Sequence, residues 1–426
     1  MADMPKKQYD LVVLGATGYT GQFIAEEVAR IAKENEGLTY AFAGRNKDKL
    51  DKTVEMAKTR TGLDLQNVGI IVADVNDEGS LLNMAKQAKV VINCVGPYRF
   101  YGEKIVSACI KGAANHVDIS GEPEYLEKVQ LRYSKEAQDN GVHVVGSCGF
   151  DSIPADLGTL YLQDIFPGDV NSVEAVVSLD DTSVGSASIN YTTLECAVLG
   201  LIHSKDLKKL RQELYTTPLP KPAYKPEPRG KLFYSNEAER WCLPNLASDR
   251  SVVVRSQRLH YELEKRRPAQ INVYFGTSSL GTAIGGIFFG IFFYFMTSFV
   301  FTRNLLLKYP ELFTFGLFTR KGPKRSDLSG LKFCVTLTGK GWDKKLEDPD
   351  EQYTQPPNIT KVVQVKGPDP GYNSTAIFAT QSAMTILKEK DKLPGKGGVY
   401  TPAAAFLKTD LCSNLEKNGI SFTIKK

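Results

Sequence analysis

Tryptophan and histidine are scarce in this 426-residue chain, with two of the first and four of the second. The seven cysteines, Cys94, Cys109, Cys148, Cys196, Cys242, Cys334 and Cys412, are scattered and form no Cys-x-x-Cys pair. No His-x-x-x-His spacing accompanies them, so neither a disulfide framework nor a metal centre is expected. The opening Met1-Ala-Asp-Met-Pro-Lys-Lys lacks the apolar core of a secretory leader. A reducing, cytosol-facing setting is therefore expected, with the sequons at Asn190, Asn358 and Asn373 unmodified. The formal net charge of +5 is small for the length, and lysines alternate with acids rather than forming a stripe, which excludes a nucleic-acid footprint. A chain this long holds two ordinary domains.

What is present begins with glycine. Tyr9-Asp-Leu-Val-Val-Leu runs straight into Gly15-Ala-Thr-Gly18-Tyr-Thr-Gly21 and then an amphipathic helix over 21–33 with Phe23, Ile24, Val28 and Ile31 on one side. Three glycines between strand and helix suit a pyrophosphate: the first for a sharp turn, the second for close approach of backbone to phosphate, the third for helix packing. Gly15, Ala16, Thr17, Gly18, Tyr19, Thr20 and Gly21 are the expected contacts, with the anion on the helix N-terminal amides. Strands and helices then alternate as far as 145, predicting a doubly wound parallel sheet of Rossmann type. Ligands gather at the carboxyl ends of such strands, which nominates Arg45, Asp74, Cys94, Gly96 and Pro97 as further cofactor residues. Arg45 stands where an acid would grip the ribose of NAD; a cation there suits the 2′-phosphate of NADP, with NAD as the alternative.

Beyond about 160 the pattern becomes longer, partly alternating strands at 173–179, 251–259, 270–275, 332–338 and 360–365, as in a mixed sheet. The proline-rich stretch 216–230 and the charged stretch 343–357 read as solvated loops. The predicted organisation is a NAD(P)-binding domain over 1–158, with a C-terminal return at 396–426, and a second α+β domain over 159–395. That second domain carries an apolar, membrane-associating segment at 268–320. From Pro268 to Thr302 no residue is charged, and Phe288, Phe289, Phe292, Phe293, Phe295, Phe299 and Phe301 crowd the stretch 281–301. Three readings stand: a core or interface helix, a single span, and an element that dips into a membrane and returns, with flanking cations near anionic headgroups. A single span would strand residues 332–426 away from the sheet that they complete.

The motifs Gly15–Gly21, Asn93-Cys-Val-Gly-Pro-Tyr-Arg-Phe-Tyr-Gly-Glu103, Asp118-Ile-Ser-Gly-Glu122, Gly149-Phe-Asp-Ser-Ile-Pro-Ala-Asp-Leu-Gly158 and Gly398-Val-Tyr-Thr-Pro-Ala-Ala-Ala-Phe406 occur in order along nearly the whole chain. Together they resemble the saccharopine dehydrogenase-like oxidoreductases of animals, and more distantly the trans-acting enoyl reductases and saccharopine dehydrogenases. The resemblance implies a Rossmann domain, an inserted second domain, and association with lipid droplets or mitochondria. The glycine triplet and the uncharged stretch together point to an oxidoreductase serving a hydrophobic or lipid-linked substrate at a droplet or cytosol-facing membrane surface, with a homodimer through the second domain as a candidate assembly. Two alternatives remain, a non-enzymatic scaffold that keeps the dinucleotide fold and a saccharopine dehydrogenase of lysine breakdown. Hydride transfer needs a proton donor beside the acceptor carbon, and Tyr98 and Asp151 are the candidates for catalysis.

Overall fold

The computed structural model describes residues 7–181, 188–202 and 204–425. It divides into two compact units, Met1–Phe150 with Gly371–Leu415, and Asp151–Pro370 with Glu416–Lys426. In the first, β1 (Tyr9–Leu14), α1 (Tyr19–Glu34), β2 (Tyr40–Gly44), α2 (Lys47–Thr61), β3 (Gly69–Val72), α3 (Glu78–Gln87), β4 (Ala88–Asn93), α4 (Tyr98–Lys111), β5 (Asn115–Asp118), α5 (Pro123–Asp139) and β6 (His143–Val145) alternate as expected. Leu11, Val12, Val13 and Leu14 are buried almost completely, the mark of a strand covered on both faces. Local chemistry places the helix ends: Asn46 accepts from the Lys49 amide to open α2, and Asp77 accepts from Gly79 and Ser80 to open α3. The strands lie parallel in the order Gly398–Tyr400, β6, β5, β4, β1, β2, β3. The order reverses between β1 and β4, and the ligand crevice of a doubly wound sheet opens there.

The second unit starts with α6 (Ile153–Asp164) and β7 (Val170–Asp181), then β8 (Ile189–Asn190), α7 (Tyr191–Ile202), α8 (Ser204–Leu214), β9 (Phe233–Ser235), β10 (Arg240–Pro244), α9 (Asp249–Glu264) and β11 (Gln270–Thr277). It continues through α10 (Leu280–Ser298), α11 (Val300–Lys308), α12 (Pro310–Phe313), β12 (Phe318–Thr319), α13 (Arg325–Leu328), β13 (Leu331–Gly341) and β14 (Ile359–Pro368). Its sheet is mixed, in the order Ser421–Lys425, β14, β13, β7, β11, β10, β9, with β7 parallel to β11 and antiparallel to β13. The chain thus leaves this sheet at β11, makes the apolar helices, and rejoins it at β13, on the other side of β7. No single crossing of a bilayer fits that path.

Three expectations are corrected. The stretch 251–259 is not a strand but part of α9: its valines resemble a strand, while Val252, Val253, Ser256, Leu259 and His260 are buried at helical spacing, with polar residues on the inner face masking the period. The boundary falls at Phe150/Asp151 rather than 158, and the return begins at Gly371 rather than 396. The cause is the helix Thr375–Lys388, buried on nearly every side although rich in Thr and Ser, so that it shows no amphipathic signal. The last strand, Ser421–Lys425, pairs with β14 and so belongs to the second unit. Within the loop 343–357, the Tyr353 ring stacks on Trp342 at 3.6 Å and its hydroxyl donates to Asp169 at 2.7 Å. Arg267 pairs with the same carboxylate at 3.1 Å.

Candidate functional site

Gly15 follows β1 with a φ of +86°, a left-handed conformation natural to glycine, and a Cβ there would lie 2.8 Å from Val95 Cγ2. The Gly18 amide donates to the Gly15 carbonyl at 2.9 Å, closing the turn. A Cβ on Gly21 would stand 2.1 Å from that same carbonyl oxygen, so α1 reaches the loop only because the position is bare. Gly18 is the N-cap of α1, and no side chain caps the helix, which leaves its first turn to an outside acceptor. Ala16 is buried, while Thr17, Tyr19 and Thr20 are half-buried on the same turn. This cradle fits a dinucleotide pyrophosphate.

The neighbouring strand ends carry the other nominated residues. The Cys94 amide donates to Leu14 O at 2.9 Å, so Cys94, Gly96 and Pro97 continue from β4 directly beside the glycine loop. Burial pushes the Cys94 thiol far above its usual range, which makes it a wall rather than a nucleophile. Arg45 is exposed immediately after β2. Asp74 is half-buried after β3 and uses one carboxylate oxygen to accept from the Asn76 amide at 2.9 Å, organising its own turn.

Tyr98 is 6% exposed, and its hydroxyl donates to Asn93 O at 3.0 Å. Its ring lies 5.5 Å from that of Tyr125. Asp151 opens the second unit and remains solvent-exposed, yet the protein crowded around it holds its carboxyl above the usual carboxylate range. The N-cap of α6 is Ser152, whose side chain accepts no capping bond among the described residues. Asp249, 5% exposed at the start of α9, is pushed well up by burial and by the charge of Asp151.

Sequence reasoning missed the network that gives Asp118-Ile-Ser-Gly-Glu122 its purpose. Asp118 accepts from Tyr125 Oη at 2.9 Å and from the Ser120 and Ser147 amides at 3.0 Å each. Ser147 is thereby held at a φ of +62°. Glu122 accepts from the Tyr98 amide at 2.7 Å and pairs with Arg99 at 3.1 Å. The loops after β4, β5 and β6 are thus tied to one another at the carboxyl edge of the sheet, where the end of a bound dinucleotide needs rigid walls. Also missed was Tyr372, buried just before the helix Thr375–Lys388, whose ring meets Tyr19 edge-on at 4.7 Å and stacks on Phe23 at 5.4 Å. An aromatic inside the glycine motif was the available signal.

A second candidate site is a surface on α10, α11 and the turn beyond. Leu280, Ile284, Phe288, Ile291 and Phe295, spaced by three or four residues, form one exposed stripe along α10. Phe299, Val300, Phe301, Leu312 and Phe315 extend it, and Phe301 and Phe315 are 73% and 83% exposed. The inner side is a small cluster of Leu194, Val198, Met296 and Leu306, with Tyr191, Phe292 and Phe293 packed on it, so α7 supports the helices that the sequence singled out. The 19 residues of α10 have a mean hydropathy of 1.7, yet only 17% of its apolar window is buried. Water is a poor solvent for such a face.

Residues 11–145 match the profile of the saccharopine dehydrogenase NADP binding domain. The chain is 41% identical over 424 residues to the saccharopine dehydrogenase-like oxidoreductase of Homo sapiens, covering 98% of each. It is 38% identical over 425 residues to a protein of Caenorhabditis elegans named lipid droplet localized protein, again over 98% of each. Among solved structures, the apo saccharopine dehydrogenase (L-Glu forming) of Saccharomyces cerevisiae matches 98% of this chain and 100% of its own, with a TM-score of 0.51 and 15% identity, a likeness of fold.

Proposed function

Because this chain belongs to the saccharopine dehydrogenase-like oxidoreductases, we propose that it is an NADP-dependent oxidoreductase acting at a lipid droplet or cytosol-facing membrane surface on a hydrophobic or lipid-linked substrate. The observation that carries the reading is the side-chain-free cradle of Gly15, Gly18 and Gly21 at the point where the parallel sheet reverses its order. When bound there, NADP(H) supplies or accepts a hydride. The protein's own part is to hold the pyrophosphate on the first turn of α1, to meet the 2′-phosphate with Arg45, and to keep the post-strand loops rigid through Asp118 and Glu122. Asp151, whose carboxyl desolvation holds above the usual carboxylate range, is the candidate proton donor. The exposed stripe of α10 and the C. elegans relative's name support the lipid surface.

The test is a titration of NADPH and NADH into the purified full-length protein. NADPH should bind more tightly than NADH, Arg45→Glu should reverse that order, and Gly18→Asp, which puts a carboxylate against the phosphates, should abolish both. Failure of the wild type to bind either nucleotide refutes the oxidoreductase reading. One observation favours the second reading, a non-enzymatic scaffold: the Tyr98 hydroxyl is committed to the Asn93 carbonyl. A Gly18→Asp protein that binds no nucleotide but supports every cellular phenotype would establish it.

A further inference from the structure

Charge around the exposed helices is one-sided. Between Arg267 and Asp327 the chain has six cations, Arg303, Lys308, Arg320, Lys321, Lys324 and Arg325, and one acid, Glu311. Arg303 and Lys308 lie on α11, Arg320 folds back onto its end, and Lys321, Lys324 and Arg325 follow directly in the chain. Arg320 donates to the Leu307 and Lys308 carbonyls at 2.8 and 3.2 Å, and its guanidinium lies 4.5 Å over the Tyr191 ring. Lys308 sits 5.3 Å over Tyr309, and Lys308, Lys321 and Lys324 are exposed. Phe315 is brought against Phe292, with ring centroids 6.4 Å apart, so the apolar turn after α12 shares a surface with α10. Glu311, which accepts from the Arg320 amide at 2.8 Å and is held ionised by that bond, offsets only one of the six positive charges.

An apolar face bordered by cations on flexible stems matches the boundary of a phospholipid leaflet, with acyl chains under the Phe residues and phosphates at the lysines. We propose that the helices α10 and α11 with the following turn dock specifically on leaflets rich in anionic phospholipid, through Lys308, Lys321 and Lys324 around the phenylalanine stripe. This rests on the lipid-surface reading above and adds the chemistry of the partner. The two features do different work. The stripe supplies depth without selectivity, because every leaflet has acyl chains, and the lysines supply selectivity that salt screens.

The experiment is co-flotation of the full-length protein with vesicles of phosphatidylcholine alone and of phosphatidylcholine with about 30% phosphatidylserine, at low and high salt. Partition onto the anionic vesicles should exceed that onto neutral ones by about ten-fold or more, and high salt should reduce the excess. The triple variant Lys308→Gln, Lys321→Gln, Lys324→Gln should bind both vesicle types at the wild-type neutral level, with an unchanged circular-dichroism melt. Equal wild-type binding to both vesicles, insensitive to salt, overturns this inference and leaves lipid docking standing. Binding to neither, with elution as a dimer, overturns both and assigns the face to a second copy of the chain.

Discussion

Gly21 admits no side chain, because a methyl there would meet the Gly15 carbonyl at 2.1 Å, and one of the two must move. Gly21→Ala should therefore weaken NADPH binding by ten-fold or more, about 1.4 kcal/mol, in a fluorescence titration, and lower the unfolding temperature by a few degrees as well. Intact affinity would mean that the turn plays no part in binding. His116 offers a test in pH. It is fully buried, and burial lowers its pKa from 6.5 to about 3. Between those values the unfolded chain binds the extra proton and the folded one does not, so stability rises with pH across that window. At the acid end the cost reaches on the order of 5 kcal/mol. His116→Gln should be less stable than wild type at pH 7 but lose less stability between pH 6.5 and 4, as read from urea melts. Parallel decline of the two proteins would refute it.

The helix Thr375–Lys388 shows what an element can hide. Thr380 and Ser382 are fully buried, and their hydroxyls have no hydrogen-bond partner among the described residues. An unmatched hydroxyl costs about 1–3 kcal/mol, so removing it without leaving a void should help. Thr380→Val and Ser382→Ala should each be neutral or raise stability by about 1 kcal/mol; a loss greater than that would reveal a partner such as a buried water. In α10 the logic is inverted. Phe288 and Ile291 are 68% and 62% exposed, so Phe288→Ser with Ile291→Ser should leave the melting temperature within a few degrees of wild type. The same pair should cut vesicle binding by about 100-fold or more, since each large side chain buried in lipid contributes about 1.5–3 kcal/mol. A variant that unfolds instead would assign the stripe to a core.

At the scale of the whole molecule, the path of the chain decides more than any element. β7 pairs with β11 on one side and β13 on the other, so the apolar helices leave one sheet and return to it. A protease added outside sealed vesicles carrying the protein should therefore cut at both 216–230 and 343–357. Protection of either loop would mean that the chain crosses the bilayer.

The glycine triplet, the alternation of strand and helix, and the uncharged run at 268–302 were legible in the sequence because each depends on neighbours in the chain. A turn needs glycine where it turns, and a dinucleotide fold repeats a local period. The buried helix Thr375–Lys388, the helical identity of 251–259, the Asp118–Tyr125–Ser147 network and the partnership of Tyr372 with Tyr19 were not legible. Each joins residues across folded distances or puts polar side chains on an inner face, where a one-dimensional period cannot mark them. Composition likewise announced an apolar segment, but only tertiary structure could leave its stripe facing outward. Whether a phenylalanine is core or surface depends on what packs over it, and on α10 the described residues bury little more than Ala283, Met296 and Thr297.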